Sequence, residues 1–176
     1  MEKRLTKTRV VIECAILIAM AFVLSLIKIW RMPMGGSITL VSMLPILLIG
    51  YRHGLAWGLI SGFVYSILQF IESPYFLTPV QFLLDYVFPF TVLGVAGFFR
   101  GKGLGFQIGA VLGIGGRFIS HVLSGVIFFA EYAADAGFES PLLYSVVYNG
   151  SIMLPELVVT LIVGTIVVEM LRKMKL

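Results

Sequence analysis

Asp85 is followed directly by Tyr86, Arg117 lies one helical turn before His121, and Tyr144 lies five residues before Asn149. All of these groups fall inside long apolar stretches. A charge held in hydrocarbon costs roughly 2.5 kcal/mol or more and usually marks a function. The residue types point to recognition. A carboxylate pairs with a cation or accepts from an amino group, and an Asn amide both donates and accepts. Tyr86, Phe129, Tyr132 and Tyr144 offer ring faces to a flat ring or a cation. The bland reading is that Asp85 pairs with Arg117 or His121 only to neutralise a buried charge. It accounts less well for the whole set, because stability alone rarely needs so many polar groups in a 176-residue bundle.

Catalytic and metal readings have less support. His121 and Ser124 are three residues apart, close enough to touch on a helix, but no third member or oxyanion loop is visible. No second His or Cys lies near His121 in sequence. No catalytic residue and no metal ligand is therefore assigned.

The elements that hold these groups follow from composition. Mean hydropathy is +1.03, 59% of residues are apolar and 12% are charged, against about 25% charged in a soluble domain. This is the composition of an integral membrane protein with room for about six spans of ~20 residues. The expected fold is all-α: a single-domain six-helix membrane bundle, with helices over residues 8–29, 38–51, 55–71, 79–99, 104–129 and 141–170. Thr78-Pro79 and Ser140-Pro141 are helix-start signals, and Pro89 is expected to kink the fourth helix. Lys3, Arg4, Lys7 and Arg9 precede an apolar run that resembles a signal peptide, but its length favours a retained first helix. Cys14 is read as a small core residue.

With both termini cytoplasmic, ten of the thirteen basic residues fall inside: Lys3, Arg4, Lys7, Arg9, Arg52, Arg100, Lys102, Arg172, Lys173 and Lys175, as the positive-inside rule requires. This distribution accounts for the net charge of +4 without nucleic acid. At ~1.5 Å per residue, Asp85 lies ~9 Å into the fourth helix, His121 ~12 Å from the end of the fifth, and Asn149 and Tyr144 ~12 and ~5 Å into the sixth. Three helices thus bring polar groups to one level in the outer half of the bilayer. Residues alone reach a polar pocket for a small aromatic or cationic solute. No phosphate-binding loop is present, so any ATP must be used by another subunit. Glu13 is read as snorkelling. Glu156, after Pro155, either caps broken backbone or couples a conformational change. Ala15 and Ala19, and Ala21 and Ser25, are small pairs at helical spacing, suited to internal packing or to docking a partner helix.

Four stretches, RMPMGGSITLVSMLPILL, PVQFLLDYVFPF followed by LGVAGFFR, RFISHVLSGVIFF and SPLLYSVVYNGSIMLPE, resemble the thiamine-specific substrate-binding subunits (S components) of energy-coupling factor (ECF) transporters. The resemblance covers nearly the whole chain. It implies a prokaryotic cell-membrane protein that captures thiamine (vitamin B1) at its outer face, without a cofactor of its own. It implies partnership with a transmembrane coupling protein and two cytoplasmic ATPases. Its implied binding residues are Asp85, toward the aminopyrimidine, with Tyr86, Arg117, His121, Gly125, Phe129, Tyr144 and Asn149. The loop Trp30 to Ser37 would act as a lid, with Trp30 its nearest aromatic candidate, and Ala15 and Ala19 would meet the coupling protein. Some members carry glutamate in place of Asp85 and tryptophan in place of Phe129. The alternatives are an S component for another ring-bearing vitamin, a stand-alone secondary carrier, or a small intramembrane enzyme using Asp85 or His121.

Overall fold

The computed structural model describes residues 6–32, 36–75 and 77–174. Thr6 accepts a hydrogen bond from the Arg9 amide and opens helix α1, Lys7–Leu26. A ribbon of two short antiparallel strands follows, β1 Lys28–Arg31 and β2 Ser37–Thr39. Next come α2 Leu44–His53, α3 Leu55–Glu72 and α4 Pro79–Phe99. The last three helices are α5 Gly105–Phe128, the short α6 Glu131–Asp135 and α7 Pro141–Lys173. Thr78 and Ser140 cap α4 and α7 as their Pro-flanked positions predict.

The ribbon departs from the all-α expectation. The apolar run at 38–43 reads as helix by composition, yet periodicity cannot separate a short strand from a helix. Ile29, Trp30, Ile38 and Thr39 are β-formers, while Pro45, in the first turn of α2, starts the helix at Leu44. The first helix accordingly stops at Leu26 and the second starts six residues late. Pro33, Met34 and Gly35, in the expected lid, lie outside the described residues, as do Lys3, Arg4 and Lys175.

Five helices, α1, α3, α4, α5 and α7, are long and apolar enough to cross a membrane. The sixth expected span is only the ten residues of α2, about 15 Å, half of a ~30 Å hydrocarbon core. Residues Leu44–Tyr51 are all buried at the centre of the bundle. Ser37, Thr39 and Ser42, just before α2, line a cavity, so the column above the short helix is partly open space.

Two ends result. At the terminal end Arg52 pairs with Glu13 at 2.9 Å, and Arg172 donates to Tyr51 Oη (2.6 Å) and to the Gly103 carbonyl (3.0 Å). Glu13 is thus tied to α2 rather than snorkelling alone. Along α1 and α3, three contacts keep a constant offset of 44 residues: Tyr65 Oη to the Ala21 carbonyl (3.4 Å), Gln69 to Ser25 (2.7 Å) and Lys28 to Glu72 (2.8 Å). A constant offset requires two helices running in the same direction. Ala21 and Ser25 are buried in this seam, whereas Ala15 and Ala19 face outward. Between α3 and α4 a Cβ on Gly58 would meet the Gly94 carbonyl at 2.7 Å. That close backbone approach is how membrane helices pack without a hydrophobic driving force between them.

Candidate binding site

The site begins with a defect in α4. Pro89 has no N–H, and its ring crowds the carbonyl four residues earlier, so a regular helix is disfavoured there. The turn Leu83–Val87 is instead a π-helical turn, in which the Phe88 amide reaches back five residues to the Leu83 carbonyl. In that register the Leu84 carbonyl would await the amide of Pro89, which does not exist. Ser120 Oγ on α5 donates to it at 2.6 Å. After Pro89 the helix tightens to 3₁₀ geometry over Val92–Phe99. π-turns recur at functional sites because they re-aim side chains; this one carries Asp85 and Tyr86. Tyr86 Oη donates to the Ser73 carbonyl (2.5 Å) and accepts from the Tyr75 amide (3.2 Å), which fixes its ring.

From α5, Arg117 Nε donates to His121 Nε2 at 3.4 Å, and its guanidinium sits 4.4 Å from the centre of the Phe90 ring. His121 Nδ1 lies 3.5 Å from Asp85 Oδ1. If Nε2 accepts, Nδ1 carries the proton, and it faces the carboxylate. From α7, Asn149 Nδ2 donates to the Ser145 carbonyl (2.9 Å), and Ser145 Oγ donates to the Val122 carbonyl (3.0 Å). Both bonds that Nδ2 makes, to the Ser145 carbonyl and hydroxyl, lie within α7, so Oδ1 is the amide's acceptor atom. Gly125 allows this approach, since a Cβ there would overlap Ser145.

These groups line one cavity of about 590 Å³ at the ribbon end. Its wall contains Asp85, Tyr86, Arg117, His121, Gly125, Phe129, Tyr144 and Asn149, every residue inferred from sequence except Trp30. Trp30 is 61% exposed on β1, off the cavity wall. Residues the sequence reading missed complete the site. Tyr148 lies one turn beyond Tyr144, 5.9 Å between ring centres, and its Oη accepts from the Gly36 amide at 3.0 Å. Its four-residue spacing was a usable signal. Gln69, Tyr75, Thr39, Ser42 and the Lys28–Glu72 pair also reach the wall; the ribbon and the half-length α2 bring Thr39 and Ser42 there, and the α1–α3 register brings Gln69 and the Lys28–Glu72 pair. Tyr75, Phe129 and Tyr132 form a stacked aromatic row, 6.2 and 6.0 Å between successive ring centres. Buried Glu156 does not cap the turn at Pro155. One carboxylate oxygen accepts from the Thr39 amide (2.6 Å) and hydroxyl (2.7 Å), fastening β2 to α7. Among the described residues no cluster of three metal-ligating side chains occurs.

Membrane-length apolar helices around a solute-sized, aromatic-rimmed cavity are the architecture of a multi-pass membrane protein. A family model described as "Thiamine transporter protein" matches residues 11–176, so the chain belongs to that family, one of transporters rather than enzymes. A thiamine transporter ThiT of Bacillus subtilis is 34% identical over 170 residues, covering 86% of each chain. One from Lacticaseibacillus paracasei is 28% identical over 175 residues, covering 88% of this chain and 84% of that one. The solved structure of ThiT from Listeria monocytogenes superposes with a TM-score of 0.80 at 26% identity, covering 93% of this chain and 95% of that chain.

Proposed function

We propose that this chain is the thiamine-binding subunit of an ECF-type importer and captures the vitamin at the outer face of a prokaryotic cell membrane. The observation that carries the reading is the convergence of Asp85, the Arg117–His121 pair and the Tyr144–Asn149 pair on one aromatic-rimmed cavity. Thiamine is a cationic thiazolium joined to a flat aminopyrimidine. Asp85 is placed to accept from the exocyclic amine, Asn149 Oδ1 to accept a further donor, and the Tyr and Phe rings to meet flat or cationic faces. The chain spans the membrane six times in this reading, the ribbon and α2 together forming one crossing. Both termini are cytoplasmic, because Lys7, Arg9, Arg52, Arg100, Lys102, Arg172 and Lys173 gather at the terminal end while Lys28 and Arg31 lie at the ribbon end.

ATP-driven release falls to partners, a transmembrane coupling protein and two cytoplasmic ATPases. The outward face of α1 around Ala15 and Ala19 is the docking surface of this proposal, since both alanines are exposed while the Ala21–Ser25 pair is used inside. Calorimetry of detergent-purified protein with thiamine tests the central claim. Tight one-to-one binding without ATP or partners is expected. Folded protein that gives no heat with thiamine overturns the ligand assignment.

A further inference from the structure

The cavity wall carries two fixed cations, Lys28 and Arg117, and two carboxylates, Glu72 and Asp85. They are used differently. Asp85 faces the neutral-capable His121 at 3.5 Å. Glu72 is engaged by Lys28 at 2.8 Å, both side chains about one-fifth exposed. Lys28 opens the ribbon and Glu72 ends α3, so the pair is the last rung of the α1–α3 ladder and the one rung that brings full charges to the wall. The two inner rungs, Tyr65–Ala21 and Gln69–Ser25, already join the helices without any charge. A bare ammonium at the wall would repel a cationic solute; paired, its field is cancelled at short range.

We propose that Glu72 is a specificity-determining residue that masks Lys28, so that the cavity admits a cationic ligand, and that removing the mask turns the site against positive charge. The proposal rests on thiamine being the ligand. It concerns only how the site reads the thiazolium charge, not whether the vitamin binds.

The test measures binding of thiamine and of its uncharged thiophene isostere to full-length protein by calorimetry. Glu72→Gln is expected to weaken thiamine roughly ten- to twentyfold, the Coulomb effect of one unmasked charge at about 10 Å and an effective dielectric of about 20. The neutral isostere should change less than about threefold by the same law, since it carries no net charge. Lys28→Gln leaves Glu72 unmasked and should shift the ratio of the two affinities toward the cation. The double variant should return the ratio to the wild-type value. Equal weakening of both ligands in Glu72→Gln would make the pair a structural rung and overturn the proposal. If Glu72→Gln does not fold, an unchanged ratio in Lys28→Gln overturns it by itself. Wild-type protein that binds the isostere and thiamine alike keeps the vitamin assignment and removes charge reading; wild-type protein that binds neither overturns both.

Discussion

Two hollows of similar size share one wall and differ in almost everything else. The ribbon-end cavity, about 590 Å³, is lined by carboxylates, cations, amides and aromatic rings. The second, about 510 Å³, lies between α1, α2 and α7 and is lined by Leu, Val and Met side chains, with Glu13 and Arg52 at its terminal end. The wall between them is the segment Thr39–Ser42. Thr39 and Ser42 face the cavity, whereas Leu40 and Val41 face the groove. Val41 is a β-branched residue at φ 56°, a conformation that is strained and persists only where surrounding contacts enforce it. Apart from Leu40 and Val41, the groove is built from regular helix faces, and lipid tails suit it as well as any apolar side chain. The cavity is built where regularity fails: the π-turn of α4, the ribbon, and the missing half of α2. In this protein polar function follows backbone irregularity.

Asp85→Ala should give the largest break in that contrast. It removes the carboxylate that the π-turn carries on the cavity wall, and truncating one partner of a desolvated, hydrogen-bonded charge pair typically costs about 2–5 kcal/mol of binding. Thiamine affinity should fall a hundredfold or more by calorimetry, on the same scale. A groove substitution such as Val163→Ala should leave it unchanged. Unaltered affinity in Asp85→Ala would remove this carboxylate from the site.

Ala15→Trp comes next, because it acts on the outer surface and spares the cavity. ATP-driven thiamine uptake in cells or proteoliposomes should drop about tenfold or more, the loss of roughly 1.4 kcal/mol of docking, with calorimetric binding unaltered. Uptake at the wild-type rate would place docking elsewhere than on this face of α1.

The same contrast explains which parts were legible in the sequence. Helix starts at Pro79 and Pro141, the intramembrane charges and the level at which Asp85, His121 and Asn149 meet follow from local chemistry and a 1.5 Å rise. The structure has helix starts at Pro79 and Pro141, and the continuous helices α5 and α7 bring His121 and Asn149 to the same cavity wall as Asp85. The ribbon was hidden because ITLVSM is as apolar as a span. Its polar Thr39 and Ser42 bond each other at 2.7 Å, and Thr39 also bonds Glu156 across the fold, a partner 117 residues away that periodicity does not encode. Trp30 is the nearest aromatic in the loop and hence the pocket candidate from sequence, yet on the ribbon it is exposed. Gln69 and Lys28 reach the cavity only through the α1–α3 register.

Glu156→Ala tests the shared wall. It deletes the acceptor of both the Thr39 amide and hydroxyl; the hydroxyl keeps Ser42, so the part-buried amide is the donor left unpaired, at about 1 kcal/mol. A lower thermal midpoint in detergent is expected, with thiamine binding weakened by less than in Asp85→Ala, since Glu156 lies behind the wall. Glu156→Gln retains an acceptor and should recover most of the stability. If Gln and Ala variants melt alike, the Thr39 bonds are not what holds the ribbon.

The finest comparison lies within one helix. Ser120 and Ser124 are a turn apart on α5, both buried, yet only Ser120 has work to do. Its hydroxyl satisfies the Leu84 carbonyl left without an amide by Pro89, whereas Ser124 Oγ has no hydrogen-bond partner among the described residues. Removing a donor whose acceptor stays buried costs about 1–3 kcal/mol; removing an unpaired hydroxyl leaves nothing unsatisfied and is neutral or stabilising. Ser120→Ala should therefore lower the thermal midpoint and slacken the turn that aims Asp85, weakening thiamine a few-fold (on the order of 1 kcal/mol). Ser124→Ala should leave both unchanged or raise the midpoint. Equal effects of the two substitutions would mean that the carbonyl freed by the π-turn does not depend on Ser120, and the link from Pro89 through Leu84 to the position of Asp85 would fail with it.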